Sequence, residues 1–276
     1  MSQSLTRLFR AHAVVRLVLH IVVLFLPVRI ALAQTPPLTL PETEEEPGVV
    51  VYPARADGPR PVTVVLHGMC GEPERTCRYF SALVSEHEHL ICPRARRRCD
   101  GGGSIWPEAA SEQIEAAVVR GIRALGPLVD ESAGRTLIGY SMGAFRALTV
   151  AETSQGRYPR VMLIGARIYP SQRLLLQNGV SRLLLAAGDW DMMSAHMQQQ
   201  TKRLIASGYR ARFMSLGRVG HAFDQSFPEY LATALTWLHR PSAEALLTNS
   251  SGAYSSAPRR QRILVASLNR TGEHKP

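Results

Sequence analysis

The stretch from Arg135 to Phe145 constrains this chain more than any other. Thr136-Leu137-Ile138 is a short apolar strand that runs into Gly139-Tyr140-Ser141-Met142-Gly143, and helix-compatible residues follow. Strand, Gly-x-Ser-x-Gly and helix in that order make a sharp turn that lifts one serine hydroxyl above the end of a sheet. Without a Cβ at Gly139 and Gly143, strand and helix can close on each other and the serine backbone can hold a strained conformation. Ser141 is therefore the first candidate for chemistry, weighed against an ordinary turn serine.

The flanking segments supply a matching scaffold. Val49–Tyr52, Thr63–Leu66, His89–Cys92, Val161–Ile164, Leu183–Ala186 and Ala211–Met214 read as strands. Several are continuous apolar runs, as expected of strands buried on both faces. Helices are expected over Cys77–His87, after Ser141, over Asp191–Ser207 and over Pro228–His239. Another is expected to open at Pro107, because proline is favoured at the first helical position, with Ala110, Ile114, Ala117, Val118, Ile122 and Leu125 on one face. The alternation predicts an α/β fold, a mostly parallel central sheet with helices on both faces. The link Gly165–Ser181 is too short for a sizeable cap domain, which predicts an open cleft.

With 276 residues, 45% hydrophobic and 20% charged, the chain can bury a core without metals or disulfides. The net charge is +10, and residues 1–33 hold four arginines and no acid. No zinc-finger spacing, helix-turn-helix pattern or aromatic-interleaved basic stripe accompanies that charge, so nucleic-acid binding is not expected. Residues 1–33 read as a signal peptide: Arg7, Arg10 and Arg16, then the apolar run Leu17–Leu26, then Ala31-Leu32-Ala33 before Gln34. The apolar run is shorter than the ~20 residues that span a bilayer, so no stable membrane span is expected after cleavage. An uncleaved anchor is the alternative. Residues 34–48 read as an exposed lead-in, 49–240 as the folded domain and 241–276 as a mobile tail. The tail carries two glycosylation-type triplets, Asn249-Ser250-Ser251 and Asn269-Arg270-Thr271.

Cysteine usage points to the same exported setting. Cys70, Cys77, Cys92 and Cys99 fall in one stretch and allow three pairings. The two short gaps make Cys70–Cys77 with Cys92–Cys99 the simplest staples, and Cys70–Cys92 with Cys77–Cys99 stays open. A metal cluster is disfavoured by the lack of Cys-x-x-Cys spacing and partner histidines. Disulfides in an oxidising compartment, secreted or periplasmic, are expected instead.

A serine hydroxyl becomes a nucleophile only when a histidine takes its proton and an acid holds that histidine. Gly188-Asp189-Trp190-Asp191 places two aspartates at a strand end, and Gly220-His221-Ala222-Phe223 places a histidine after the last strand. On these segments, together with His67-Gly68-Met69 and Gly139–Gly143, the chain resembles the α/β-hydrolase superfamily, in particular its small, lidless dienelactone-hydrolase-like and carboxylesterase-like members. The resemblance spans roughly residues 49–240. It implies Ser141 as nucleophile, His221 as general base and Asp191 as orienting acid. It also implies an oxyanion hole from the N–H groups of Met142 and Met69, worth about 3 kcal/mol per donor. A small-molecule ester substrate, no cofactor and no metal follow from the same resemblance.

Each assignment has a rival. Asp191 is an alternative helix cap, which leaves Asp189 as the acid. His221 has a packing role as its alternative, and His67 supports the oxyanion loop rather than acting as a base. His196 reads as a surface residue, and Met192, Met193 and Met197 read as core filling. Arg94, Arg96, Arg97 and Arg98 read as a solvated loop rather than a binder of acidic substrates. At the level of function the rivals are a prolyl-oligopeptidase-type serine peptidase, for whose propeller domain there is no room, and a non-catalytic binding module.

Overall fold

A computed structural model describes residues 36–240 of the chain. The signal peptide and the tail expected at the two ends, with both glycosylation-type triplets, lie outside the described residues. The domain is built on an eight-stranded sheet of β1 (Leu38–Leu40), β2 (Val49–Tyr52), β3 (Val62–Leu66), β4 (His89–Pro93), β7 (Thr136–Tyr140), β8 (Arg160–Ile164), β9 (Arg182–Ala187) and β10 (Ala211–Ser215). Their spatial order is β1-β2-β4-β3-β7-β8-β9-β10. From β4 to β10 every neighbouring pair is parallel, and only β1–β2 and β2–β4 are antiparallel. Two further strands, β5 (Arg97–Arg98) and β6 (Ser104–Ile105), form a small separate hairpin.

The central strands are largely apolar because both faces are covered. Alternate residues feed two cores: Val64, Leu137, Leu163 and Leu185 on one face, Val65, Ile138, Met162 and Leu184 on the other. The first face packs against α2 (Ser111–Leu125), α3 (Met142–Ala151), the short α4 (Gln172–Gln177) and α5 (Ser194–Ala206). The second packs against α1 (Pro73–Val84) and α6 (Phe227–Leu238). Between β8 and β9 only α4 intervenes, its Leu175 fully buried, and no cap domain rises there.

Several local expectations shift. The helix expected from Pro107 begins at Ser111: the Ala110 carbonyl accepts the Ile114 N–H at 2.9 Å, and the Glu108 carbonyl accepts from the Arg146 guanidinium at 2.9 Å. The helix expected at Cys77–His87 starts earlier, at Pro73, where proline occupies the first turn. The lead-in contributes an edge strand, β1, whose side chains are mostly exposed. Among the described residues, no helix is long and apolar enough to cross a membrane.

The cysteines form the third pairing, Cys70–Cys99 and Cys77–Cys92, and none is free. Both pairings weighed from spacing are thereby corrected. Helix α1 lies across the sheet, so Cys77 on its buried face meets Cys92 on β4 with Cα atoms 6.4 Å apart. Cys70, before the helix, is left to reach the hairpin at Cys99.

Candidate active site

Ser141 stands between β7 and α3 with φ 54° and ψ −119°, a left-handed conformation that a non-glycine residue adopts only under constraint. The constraint is visible in its neighbours. A Cβ on Gly143 would lie 2.3 Å from the Leu66 carbonyl oxygen, so only glycine lets α3 sit this close to the end of β3. The Ser141 N–H is tied to the Ile164 carbonyl at 2.8 Å.

Two loops bring partners to that hydroxyl. His221 Nε2 lies 2.8 Å from Ser141 Oγ, and His221 Nδ1 lies 2.8 Å from Asp191 Oδ2. With the carboxylate ionised, Nδ1–H donates to it, which leaves Nε2 as an acceptor for the serine O–H. Asp191 is buried, Ser141 is half-buried and His221 is exposed. The other oxygen of Asp191 accepts the Met193 N–H at 2.9 Å, so the carboxylate also secures the turn that enters α5. Asp189 points elsewhere and accepts from the Ser215 hydroxyl.

Tyr140, the residue before the serine, donates its O–H to the His221 carbonyl at 2.8 Å and stacks on the imidazole with centroids 5.2 Å apart. Burial, helped by Asp191 and Tyr79, pushes its phenol above the ordinary value and keeps it a donor. Sequence reasoning missed this residue; the only signal was its place inside the Gly-x-Ser-x-Gly motif.

His67 is buried at the end of β3 and does not meet Ser141 or Asp191 through any hydrogen bond. Its Nδ1 lies 2.8 Å from the Gly68 carbonyl, its ring packs on Trp106 at 4.7 Å, and the Trp106 indole N–H donates to its carbonyl at 2.8 Å. Burial lowers its pKa to about 4, assisted by Arg94 and opposed by the Gly68 hydrogen bond. A neutral ring with Nδ1–H bound to Gly68 braces the loop that carries Met69. Among the described residues, neither the Met69 nor the Met142 N–H has a hydrogen-bond acceptor.

Next to His221 opens a cavity of about 490 Å³, walled by Gly68, Arg75 and Tyr79 on one side, Gly102 on the hairpin turn, and Tyr140 and Phe223 on the other. Of the arginine run, Arg94 pairs with Glu74 and Arg96 with Glu42, while Arg97 and Arg98 are exposed on β5. Two expectations need correction. Met192 is 88% exposed beside Asp191 rather than filling the core, although Met197 is buried. His196 is partly buried, its Nε2 held 2.7 Å from the Ile168 carbonyl and its ring edge-on to Tyr169.

No protein-family model matches the chain, and no curated protein does. Solved structures do. S-formylglutathione hydrolase FrmB from Staphylococcus aureus superposes with a TM-score of 0.55 at 14% identity, over 74% of this chain and 98% of that one. The fluorophosphonate-binding serine hydrolase FphF from the same organism gives 0.56 at 14% identity, over 75% and 100%. Esterase PE8 gives 0.54 at 18% identity, over 68% and 97%. Strand order, the parallel pairing and these solved structures agree: the chain has the α/β-hydrolase fold.

Proposed function

We propose that the protein is a serine hydrolase that cleaves carboxylic esters of small molecules through an acyl-enzyme on Ser141. The observation that carries this reading is the unbroken chain Ser141–His221–Asp191, with both links at 2.8 Å. In the reaction Ser141 Oγ attacks the ester carbonyl carbon while His221 Nε2 takes the hydroxyl proton. The charge that develops on the carbonyl oxygen is met by the Met142 and Met69 N–H groups. Collapse breaks the bond to the alcohol, which leaves with the proton from His221. Water then repeats the sequence and frees the acid. Asp191 stays ionised and holds the imidazole in the tautomer that both halves need.

The absence of a cap between β8 and β9 favours soluble esters that reach an open cleft. The two disulfides and the N-terminal signal pattern favour work outside the cytoplasm, in a secreted or periplasmic setting. The test is hydrolysis of chromogenic esters of graded acyl length by the mature protein and by Ser141→Ala, with fluorophosphonate labelling of both. The wild type is expected to be labelled and the variant to lose about 10³-fold or more in kcat. Equal rates in the two proteins refute the mechanism.

A further inference from the structure

On the serine-hydrolase reading, the two disulfides differ in how they stand to the site. They are nested: Cys77–Cys92 lies inside the loop closed by Cys70–Cys99. The inner pair is fully buried between α1 and β4. Among the described residues the outer pair is accessible, with Cys70 exposed and Cys99 partly so. Cys70 also follows Met69 directly.

Met69 does little to fix its own position, since the residue is 62% exposed. Its N–H can be held only by its flanks. Upstream, Gly68 is buried under the Ser141 turn and bound to the His67 ring. Downstream, Cys70 sits at φ +48°, one of three non-glycine residues with positive φ among those described. Residues with a Cβ avoid that region unless the surroundings hold them there. Those surroundings are a turn, closed by the Gly71 N–H on the Gly68 carbonyl at 3.1 Å, and the hairpin packed against it. The Ser104 N–H donates to the Gly71 carbonyl at 3.0 Å, and Gly103 packs so close that a Cβ on it would lie 2.2 Å from the Cys70 carbonyl oxygen. The Cys70–Cys99 bond closes this contact covalently, with Cα atoms 5.7 Å apart.

We propose that the Cys70–Cys99 disulfide is a positioning crosslink for the oxyanion hole: it sets the Met69 N–H against the transition state, and its reduction lowers turnover while the fold persists. A dithiol such as dithiothreitol breaks the S–S bond, leaves two thiols and is itself oxidised to the cyclic disulfide. The inner disulfide stays intact because no thiolate reaches it in the folded protein.

The test compares mature wild type with the double variant Cys70→Ala/Cys99→Ala on a chromogenic ester. A displaced donor costs the transition state more than the bound ester. The expected result is therefore kcat lowered about ten- to hundred-fold, KM within about two-fold, and a trifluoromethyl ketone analogue bound correspondingly more weakly. Thermal unfolding of the variant stays cooperative. An unchanged kcat overturns the proposal, as does a loss of activity that only tracks the unfolded fraction. If the variant does not fold, mild dithiothreitol treatment of the wild type decides. Two alkylatable thiols per chain with a reversible fall in kcat support the proposal, and two thiols at full kcat overturn it. A wild type inert to both ester and fluorophosphonate overturns the serine-hydrolase reading and this proposal with it, whereas a reactive wild type beside a full-rate variant overturns this proposal alone.

Discussion

Acidification from pH 7 to pH 5 should protonate His67 in the unfolded chain but scarcely at all in the folded one. The ring has an ordinary pKa of 6.5 when exposed and about 4 in place, where burial, with Arg94 nearby, disfavours the cation. Stability rises with pH wherever the unfolded chain binds more protons. The contribution of His67 is therefore complete above about pH 7 and is lost as pH falls from 6.5 towards 4. At about 1.36 kcal/mol per unit of difference, the loss is about 2 kcal/mol at pH 5 and about 3 kcal/mol at pH 4.

The variant that isolates this effect is His67→Asn, whose side-chain N–H replaces Nδ1–H against the Gly68 carbonyl but does not titrate. Urea unfolding of both proteins at pH 7, 6 and 5 gives two curves of stability against pH. The variant is less stable at pH 7, because it loses the ring packing on Trp106. Its curve should be flatter by about 2 kcal/mol between pH 7 and 5. His89, whose pKa burial also lowers, is present in both proteins and cancels in the difference. Parallel curves would show that His67 is protonated in the folded state, and would refute the neutral brace drawn for the loop that carries Met69.

Other outcomes follow from the same geometry. Asp191→Asn should lower kcat by about 10⁴-fold, since the amide favours the wrong imidazole tautomer, whereas Asp189→Asn should stay within a few-fold in the same ester assay. Gly143→Ala puts a methyl 2.3 Å from the Leu66 carbonyl oxygen, so it should cost about 3 kcal/mol or more in urea unfolding, or prevent folding. Glu88 is drawn upward by burial, but its bonds to His239 and Thr63 and the charges of His239 and Arg160 bring it below the ordinary carboxylate value. Its stabilisation is present above the unfolded pKa and is lost as pH falls through the folded one. Glu88→Gln should thus cost about 2 kcal/mol at pH 7 and progressively less below pH 4.5, read by thermal melts across that range.

The legible and illegible parts of this molecule differ in what fixes them. Ser141, Asp191 and His221 sit just past the C-terminal ends of β7, β9 and β10, and β7 through β10 are consecutive neighbours in the sheet. Once the apolar runs are read as strands, chain order dictates spatial order, and three distant side chains converge without any knowledge of loops. The disulfides obey another rule. Spacing favoured Cys70–Cys77, but Pro73 starts a rigid helix between them, and that helix carries Cys77 onto the sheet beside Cys92. A loop-length argument treats the chain as flexible where it is stiff. The hairpin of β5 and β6 shows the limit most clearly. Two-residue strands leave no periodicity to read, yet Cys99 and Gly103 between them clamp the loop that carries Met69. The sheet places the proposed nucleophile and its proposed proton relay, so those residues can be inferred from pattern. The loop that carries Met69, the proposed oxyanion loop, is placed by contacts between irregular segments, so its geometry becomes readable only when the chain is folded.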